Sequence, residues 1–169
     1  MGVGKTTVGR RLARAMERSF VDSDEEIERA SGRTVAGYFR DHGEAEFRAG
    51  ELRVVRRLLE NPDQVIATGG GAFIHPETHE ALQRRALTVW LRGDFETIMT
   101  RVSKKDTRPL LKVADPRARM RELMEERTPI YAQAHLTVDV SKGPHSRTVG
   151  KVRRAVERHL KQTRERSRA

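Results

Sequence analysis

Gly2-Val3-Gly4-Lys5-Thr6-Thr7 runs directly into a helical pattern, and a glycine-rich turn feeding a helix N-terminus suits a polyphosphate. Glycines let backbone N–H groups wrap an anion, Lys5 can reach β- and γ-phosphates, and the Thr6 hydroxyl can ligate Mg²⁺. The full pattern has one more glycine, which would lie ahead of Met1. A strand and loop glycine of about ten residues is therefore expected before it. Asp22 and Asp24 stand two apart at the end of a short apolar run, so on extended chain both carboxylates face one side. One suits a metal reached through water, and the other suits a hydroxyl nucleophile's proton. Gly69-Gly70-Gly71 directly follows Val65-Ile66-Ala67 and would let a ligand touch main chain.

Arginines complete the set of candidates: Arg48 in Glu46-Phe47-Arg48, Arg108 in Thr107-Arg108-Pro109-Leu110-Leu111, and Arg127 ahead of Thr128-Pro129-Ile130-Tyr131. Alone, each reads as a solvated side chain. Together they could clamp anions. The histidines, His75 and His79 among them, lack the Glu-containing spacing of a zinc helix and read as surface residues. Trp90, Met120 and Met124 read as packing.

Elements must deliver these residues to one place. Helical spacing runs from Thr7 to Ser19, around Ile27 and Ala30, and from Gly43 to Glu60 with Phe47, Leu52, Val55, Leu58 and Leu59 inward. Pro76 suits the first turn of another helix. Further helices are expected over 95–102, over 117–127 halted before Pro129, and over 149–162. Strands are expected at Phe20-Val21, 65–67, 87–91 and 136–140, and residues 104–115 read as a basic loop. Short strands alternating with helices imply a parallel sheet covered on both faces. Ligands bind at the carboxyl edge of such sheets, where the candidates gather.

Composition narrows the class. The chain has 169 residues, 36% of them apolar and none of them cysteine, so it builds one domain without disulfides, thiolate zinc or a cysteine nucleophile. No run of about 18–20 apolar residues suggests a membrane span, and the first ten residues form no secretory signal. Of the net charge of +10, +8 sits in the last 29 residues, which hold ten Lys/Arg and two acids. The nearly neutral body argues against specific nucleic-acid binding. A domain over 1–162 is expected, with a basic tail at 163–169.

In order, GKT, DSD, EFR, GGG, RPLL in a basic loop and ER-x-P-x-Y resemble shikimate kinase, from Met1 to about Val140. The resemblance implies a P-loop α/β fold, a three-layer sandwich with a central parallel sheet and a lid at about 104–115. It implies transfer of phosphate from ATP, with Mg²⁺, to the 3-hydroxyl of shikimate, in a cytoplasmic enzyme taken to be a monomer. Gly2, Val3, Gly4, Lys5, Thr6 and Thr7 match the ATP-binding loop, with Lys5 catalytic. Thr6 and Asp22 match the metal positions. Asp24, Arg48, Gly69, Gly70, Gly71 and Arg127 match positions that hold shikimate, Asp24 as the catalytic group on its hydroxyl. Arg108 matches the catalytic lid arginine over ATP, and Arg101 a neighbour of the adenine. The rival readings are another small-metabolite kinase, such as a gluconate kinase, and a non-catalytic ligand-sensing module.

Overall fold

The computed structural model describes residues 2–102, 113–140 and 143–167. In chain order the elements are α1 (Lys5–Ala15), β1 (Ser19–Asp22), α2 (Ser23–Ser31), α3 (Val35–Leu58), β2 (Gln64–Ala67), α4 (Pro76–Arg85), β3 (Val89–Gly93), α5 (Phe95–Val102), α6 (Pro116–Tyr131), β4 (Leu136–Val140) and α7 (His145–Arg166).

The strands pair in parallel, β1 with β2 from Ser19–Gln64 to Asp22–Ala67, and β3 with β4 from Val89–Leu136 to Gly93–Val140. Successive residues of a strand face opposite sides, and β2 uses both. Val65 packs with α1 and α7 in a cluster built on Val8, Leu12, Val138, Val149, Val152 and Val156. Ile66 instead meets Val55, Leu59 and Leu82 of the α3–α4 side. Helices thus cover both faces of the strands, as the alternation requires. Between β2 and β3 lies a cavity of about 600 Å³, lined by Val65, Ile66, Val89, Leu91, Val8 and Val152 among others. The parallel sheet is therefore seen, among the described residues, as two strand pairs with an apolar gap between them.

Several boundaries differ from the sequence reading, each for a local reason. The helix expected from Gly43 begins eight residues earlier at Val35, where the Thr34 hydroxyl caps it by accepting from Gly37 N–H at 3.1 Å. Gly43 bends this helix, with φ 78° and ψ 175°, a backbone state that a glycine takes without strain. The helix expected to halt before Pro129 continues to Tyr131. Proline removes only one N–H there, and Ala132 N–H still reaches the Thr128 carbonyl at 2.9 Å. The last helix passes 162 and runs to Arg166. Its outer turns carry the pairs Arg153–Glu157 at 2.7 Å and Lys161–Glu165 at 3.9 Å, which favour helix at i,i+4 spacing.

Two further readings need correction. The third strand is Val89–Gly93 rather than 87–91: Thr88 N–H turns to the His135 ring at 3.1 Å, and only the Thr88 carbonyl enters the pairing, accepting from Leu136 N–H at 3.0 Å. His75 and His79 are not simple surface residues. His75 Nδ1 and His79 Nε2 are buried without a hydrogen-bond partner among the described residues, and the His79 ring meets Phe73 edge-on at 4.5 Å.

Candidate active site

The site forms at the carboxyl ends of the strands. Gly2 and Gly4 have φ of 72° and 84°, left-handed values that would strain any side chain. Gly4 is the residue from which α1 springs, so α1 aims its unsatisfied N–H groups and positive dipole end at the loop. Val3 is buried among Ile98, Met99, Val102, Met120 and Val140, and this anchors the loop from below. Arg101 braces it by donating to the Val3 carbonyl at 3.3 Å. Thr7 follows on the exposed side of the first turn.

Asp22 ends β1 and caps α2. Its Oδ1 accepts from Asp24 N–H at 3.1 Å, and its Oδ2 accepts from the Thr6 hydroxyl at 2.8 Å. A hydroxyl and a carboxylate held this close at a phosphate loop are hard oxygen donors, the kind Mg²⁺ takes. Among the described residues, no group of three or more His, Cys, Asp and Glu offers a separate metal cage.

The glycine loop organises the rest. A Cβ on Gly69 would stand 2.7 Å from Asp24 Oδ1, one on Gly70 would stand 3.9 Å from Arg127 Nη1, and one on Gly71 would stand 2.7 Å from Arg48 Nη1. At Gly69 and Gly71 the missing side chain leaves room for Asp24 and Arg48, whereas over Gly70 the nearest group is the Tyr131 hydroxyl at 3.2 Å, with Arg127 beyond it at ordinary contact distance. Ser23, fully buried, accepts from Gly69 N–H through its hydroxyl at 3.2 Å and ties this loop to the start of α2.

Electrostatics at the two ends are opposite. The Asp24 carboxyl is pushed above its ordinary range, first by burial and then by Asp22 and Glu28, while Lys5 and Arg48 pull the other way. Arg48 is held by Glu51 at 2.6 Å and by Glu44 at 3.3 Å, with its guanidinium over Phe47 and Phe39 at 5.2 and 5.6 Å. Glu51 itself is only 1% exposed. Burial raises its pKa, and its hydrogen bond and charge pairing with Arg48 oppose the rise.

Of the residues singled out from sequence, Lys5, Thr6, Asp22, Asp24, Arg48, the three glycines and Arg127 are brought to this edge, with Gly2, Val3, Gly4 and Arg101 forming and bracing the loop. Arg108 and residues 104–112 of the expected lid lie outside the described residues. Three residues were missed: Ser23, Glu51 and Tyr131. Glu51 had a signal, because it sits on the apolar stripe of Phe47, Val55 and Leu58, where an acid needs a buried partner.

A family model described as shikimate kinase matches residues 1–157. The chain belongs to the shikimate kinase family. A shikimate kinase of Mesorhizobium japonicum is 52% identical over 138 residues, 82% of this chain and 68% of its own. That of Novosphingobium aromaticivorans is 46% identical over 164 residues, 95% of this chain and 85% of its own. A solved shikimate kinase from Acinetobacter baumannii, in complex with shikimate, superposes with a TM-score of 0.88 at 38% identity. It covers 94% of this chain and 89% of that one. A gluconokinase from Sinorhizobium meliloti, at 17% identity and a TM-score of 0.63, shares the fold alone. As a shikimate kinase family member with the P-loop α/β architecture, the chain is an ATP-dependent kinase.

Proposed function

We propose that this chain transfers the γ-phosphoryl group of ATP to the 3-hydroxyl of shikimate, at the edge where Asp24, Arg48 and Arg127 meet the three glycines. The observation that carries this reading is the close approach of Asp24 to Gly69 and of Arg48 to Gly71, with Arg127 beside Gly70. A carboxylate at one end and two guanidiniums at the other match a ring that bears hydroxyls and one carboxylate. Guanidinium forks suit the carboxylate, while Asp24 suits a hydroxyl.

In the reaction the shikimate oxygen attacks the γ-phosphorus in line, the bond to the β,γ-bridging oxygen breaks, and ADP leaves. Asp24 orients the attacking hydroxyl and accepts its proton, and its raised pKa improves it as an acceptor. Lys5 and the loop amides spread the negative charge on the transferring group. Arg108 is assigned the matching role from the lid, and Arg101 that of a neighbour of the adenine beside its brace on Val3. Thr6 and Asp22 would hold Mg²⁺, which supplies charge neutralisation on the β- and γ-phosphates. The setting proposed is the cytoplasm and aromatic amino-acid biosynthesis, with the enzyme working as a monomer. No helix among the described residues is long and apolar enough to cross a membrane.

A coupled ADP-release assay tests this, run with ATP alone, with shikimate and with gluconate. Release that depends on shikimate is expected. Stimulation by gluconate alone would move the chain to another substrate, and tight shikimate binding without ADP release would make it a sensor.

The basic end of α7 is proposed to have no part in turnover. Val149, Val152 and Val156 are buried, whereas Leu160 is 37% exposed and residues 161–167 are all exposed. Deleting Gln162 onward is expected to leave kcat and the shikimate KM unchanged. Weak DNA retention at low salt should shrink with the deletion and vanish near physiological ionic strength, as a screened surface effect does. Kinetic collapse, or DNA binding that survives physiological salt, would give this segment a function.

A further inference from the structure

Tyr131 ends α6 one turn beyond Arg127, so the two side chains share a helix face. Its ring is set against Trp90 and Phe73, with centroids 6.0 and 6.3 Å away. From that fixed ring the hydroxyl donates to the Gly70 carbonyl at 2.8 Å. Arg127 reaches the same place: where a Cβ on Gly70 would stand, the Tyr131 hydroxyl is 3.2 Å away and Arg127 Nη1 3.9 Å, and the guanidinium charge acts on the phenol. A phenol has one proton to give, and once it is spent on Gly70 the oxygen's lone pairs are left for the guanidinium. One oxygen therefore links the candidate carboxylate clamp to the glycine loop.

The link also sets the loop's own donors. In a planar trans peptide the C=O of one residue and the N–H of the next point in opposite directions. Holding the Gly70 carbonyl on Tyr131 turns the Gly71 N–H away from it. Among the described residues, Gly69 N–H is taken by Ser23 and Ala72 N–H by the Gly69 carbonyl, and no described residue accepts from the Gly71 N–H. That donor stands ready for a ligand oxygen.

We propose that Tyr131 is a positioning residue, whose hydroxyl ties the Arg127 guanidinium to the Gly70 carbonyl and so fixes the carboxylate clamp relative to the glycine loop. The inference deepens the proposed function and rests on it, since the clamp matters only if an acidic substrate binds there. Burial pushes the phenol's pKa up, so it keeps its proton throughout the working range and the link does not titrate away.

Tyr131→Phe keeps the ring and removes only the oxygen. The expected result is a rise of about tenfold in shikimate KM, the size a lost charge-assisted hydrogen bond gives, with ATP KM unchanged and kcat within about threefold. Thermal unfolding should stay close to that of the parent chain. Against a shikimate analogue with the carboxylate reduced to a primary alcohol, the penalty should disappear. In an Arg127→Lys background, Tyr131→Phe should add less than it does alone, because the fork it positions is gone.

A Tyr131→Phe variant with unchanged shikimate KM overturns the proposal. So does one in which shikimate KM, ATP KM and kcat all deteriorate together, or in which the penalty persists with the alcohol analogue. If the parent chain shows no shikimate-dependent ADP release, the proposed function fails and this inference falls with it. A parent chain that is active, with a silent Tyr131→Phe, defeats this inference alone.

Discussion

Asp24→Asn is expected to lower kcat by about 10²–10⁴ while making the protein more resistant to heat at pH 7. The first half follows from the role proposed for Asp24: the amide is isosteric but cannot take a proton. The second half follows from burial. A carboxyl whose folded pKa lies above its unfolded value favours folding only while it is protonated. That contribution is complete below the unfolded pKa and is lost as pH rises through the folded one. At neutral pH the ionised Asp24, beside Asp22 and Glu28, therefore works against the fold. Asparagine removes the charge and the opposition. The gap in melting temperature between variant and parent should accordingly narrow as pH falls into the carboxylate range. In the parent, the acid limb of the kcat profile should lie above the range of an ordinary aspartate, because the base must be ionised to act. Saturating kinetics and thermal melts from pH 4.5 to 8 check both halves. Unchanged kcat removes Asp24 from the mechanism, and a melting temperature that drops at pH 7 contradicts the burial argument.

Much of this site can be read along the chain because its parts are local. The phosphate loop is written in consecutive residues, since Gly2 and Gly4 must adopt left-handed φ and Lys5 starts the helix. The fifth helix and the fourth strand keep the limits expected from pattern, Phe95–Val102 and Leu136–Val140, because their apolar periods are clean. What escaped depends on approach in space. Ser23 gains its role only when Gly69 arrives from 46 residues away. Tyr131 gains its role only when Gly70 comes within 2.8 Å, across 61 residues. The Val35–His42 stretch lacks a strong apolar period of its own, yet its Phe39 ring stacks on Phe47 at 4.1 Å and lies under Arg48. Tertiary packing decides that segment, and local propensity is too weak to announce it.

Glu51→Ala is expected to damage both stability and substrate use, and to separate the two substrates. Glu51 is 1% exposed, and the Arg48 side chain that it holds at 2.6 Å is 17% exposed. Removing one partner of so buried a pair strands the other charge, a loss of about 3 kcal/mol, somewhat softened here by Glu44 at 3.3 Å. The surviving partner, Glu44, is 71% exposed and cannot fix a guanidinium's direction as a buried acid does. Arg48 would then swing from its place beside Gly71, and a displacement near 1 Å can cost about 10²-fold in turnover efficiency. The expected outcome is a fall of about 10² in kcat/KM for shikimate with ATP KM little changed, since the Glu51–Arg48 pair stands beside Gly71, at the proposed carboxylate end of the site. Glu51→Gln keeps an acceptor for Arg48 and no longer has to ionise in a buried place. Its loss should stay within about tenfold, with stability at pH 7 near or above the parent, given that burial raises the Glu51 pKa. Steady-state kinetics in each substrate and melts of both variants decide the matter. An Ala variant with the parent's shikimate KM would show that Arg48 finds its place without Glu51. Equal losses for ATP and shikimate would mean that the pair supports the whole domain rather than one clamp.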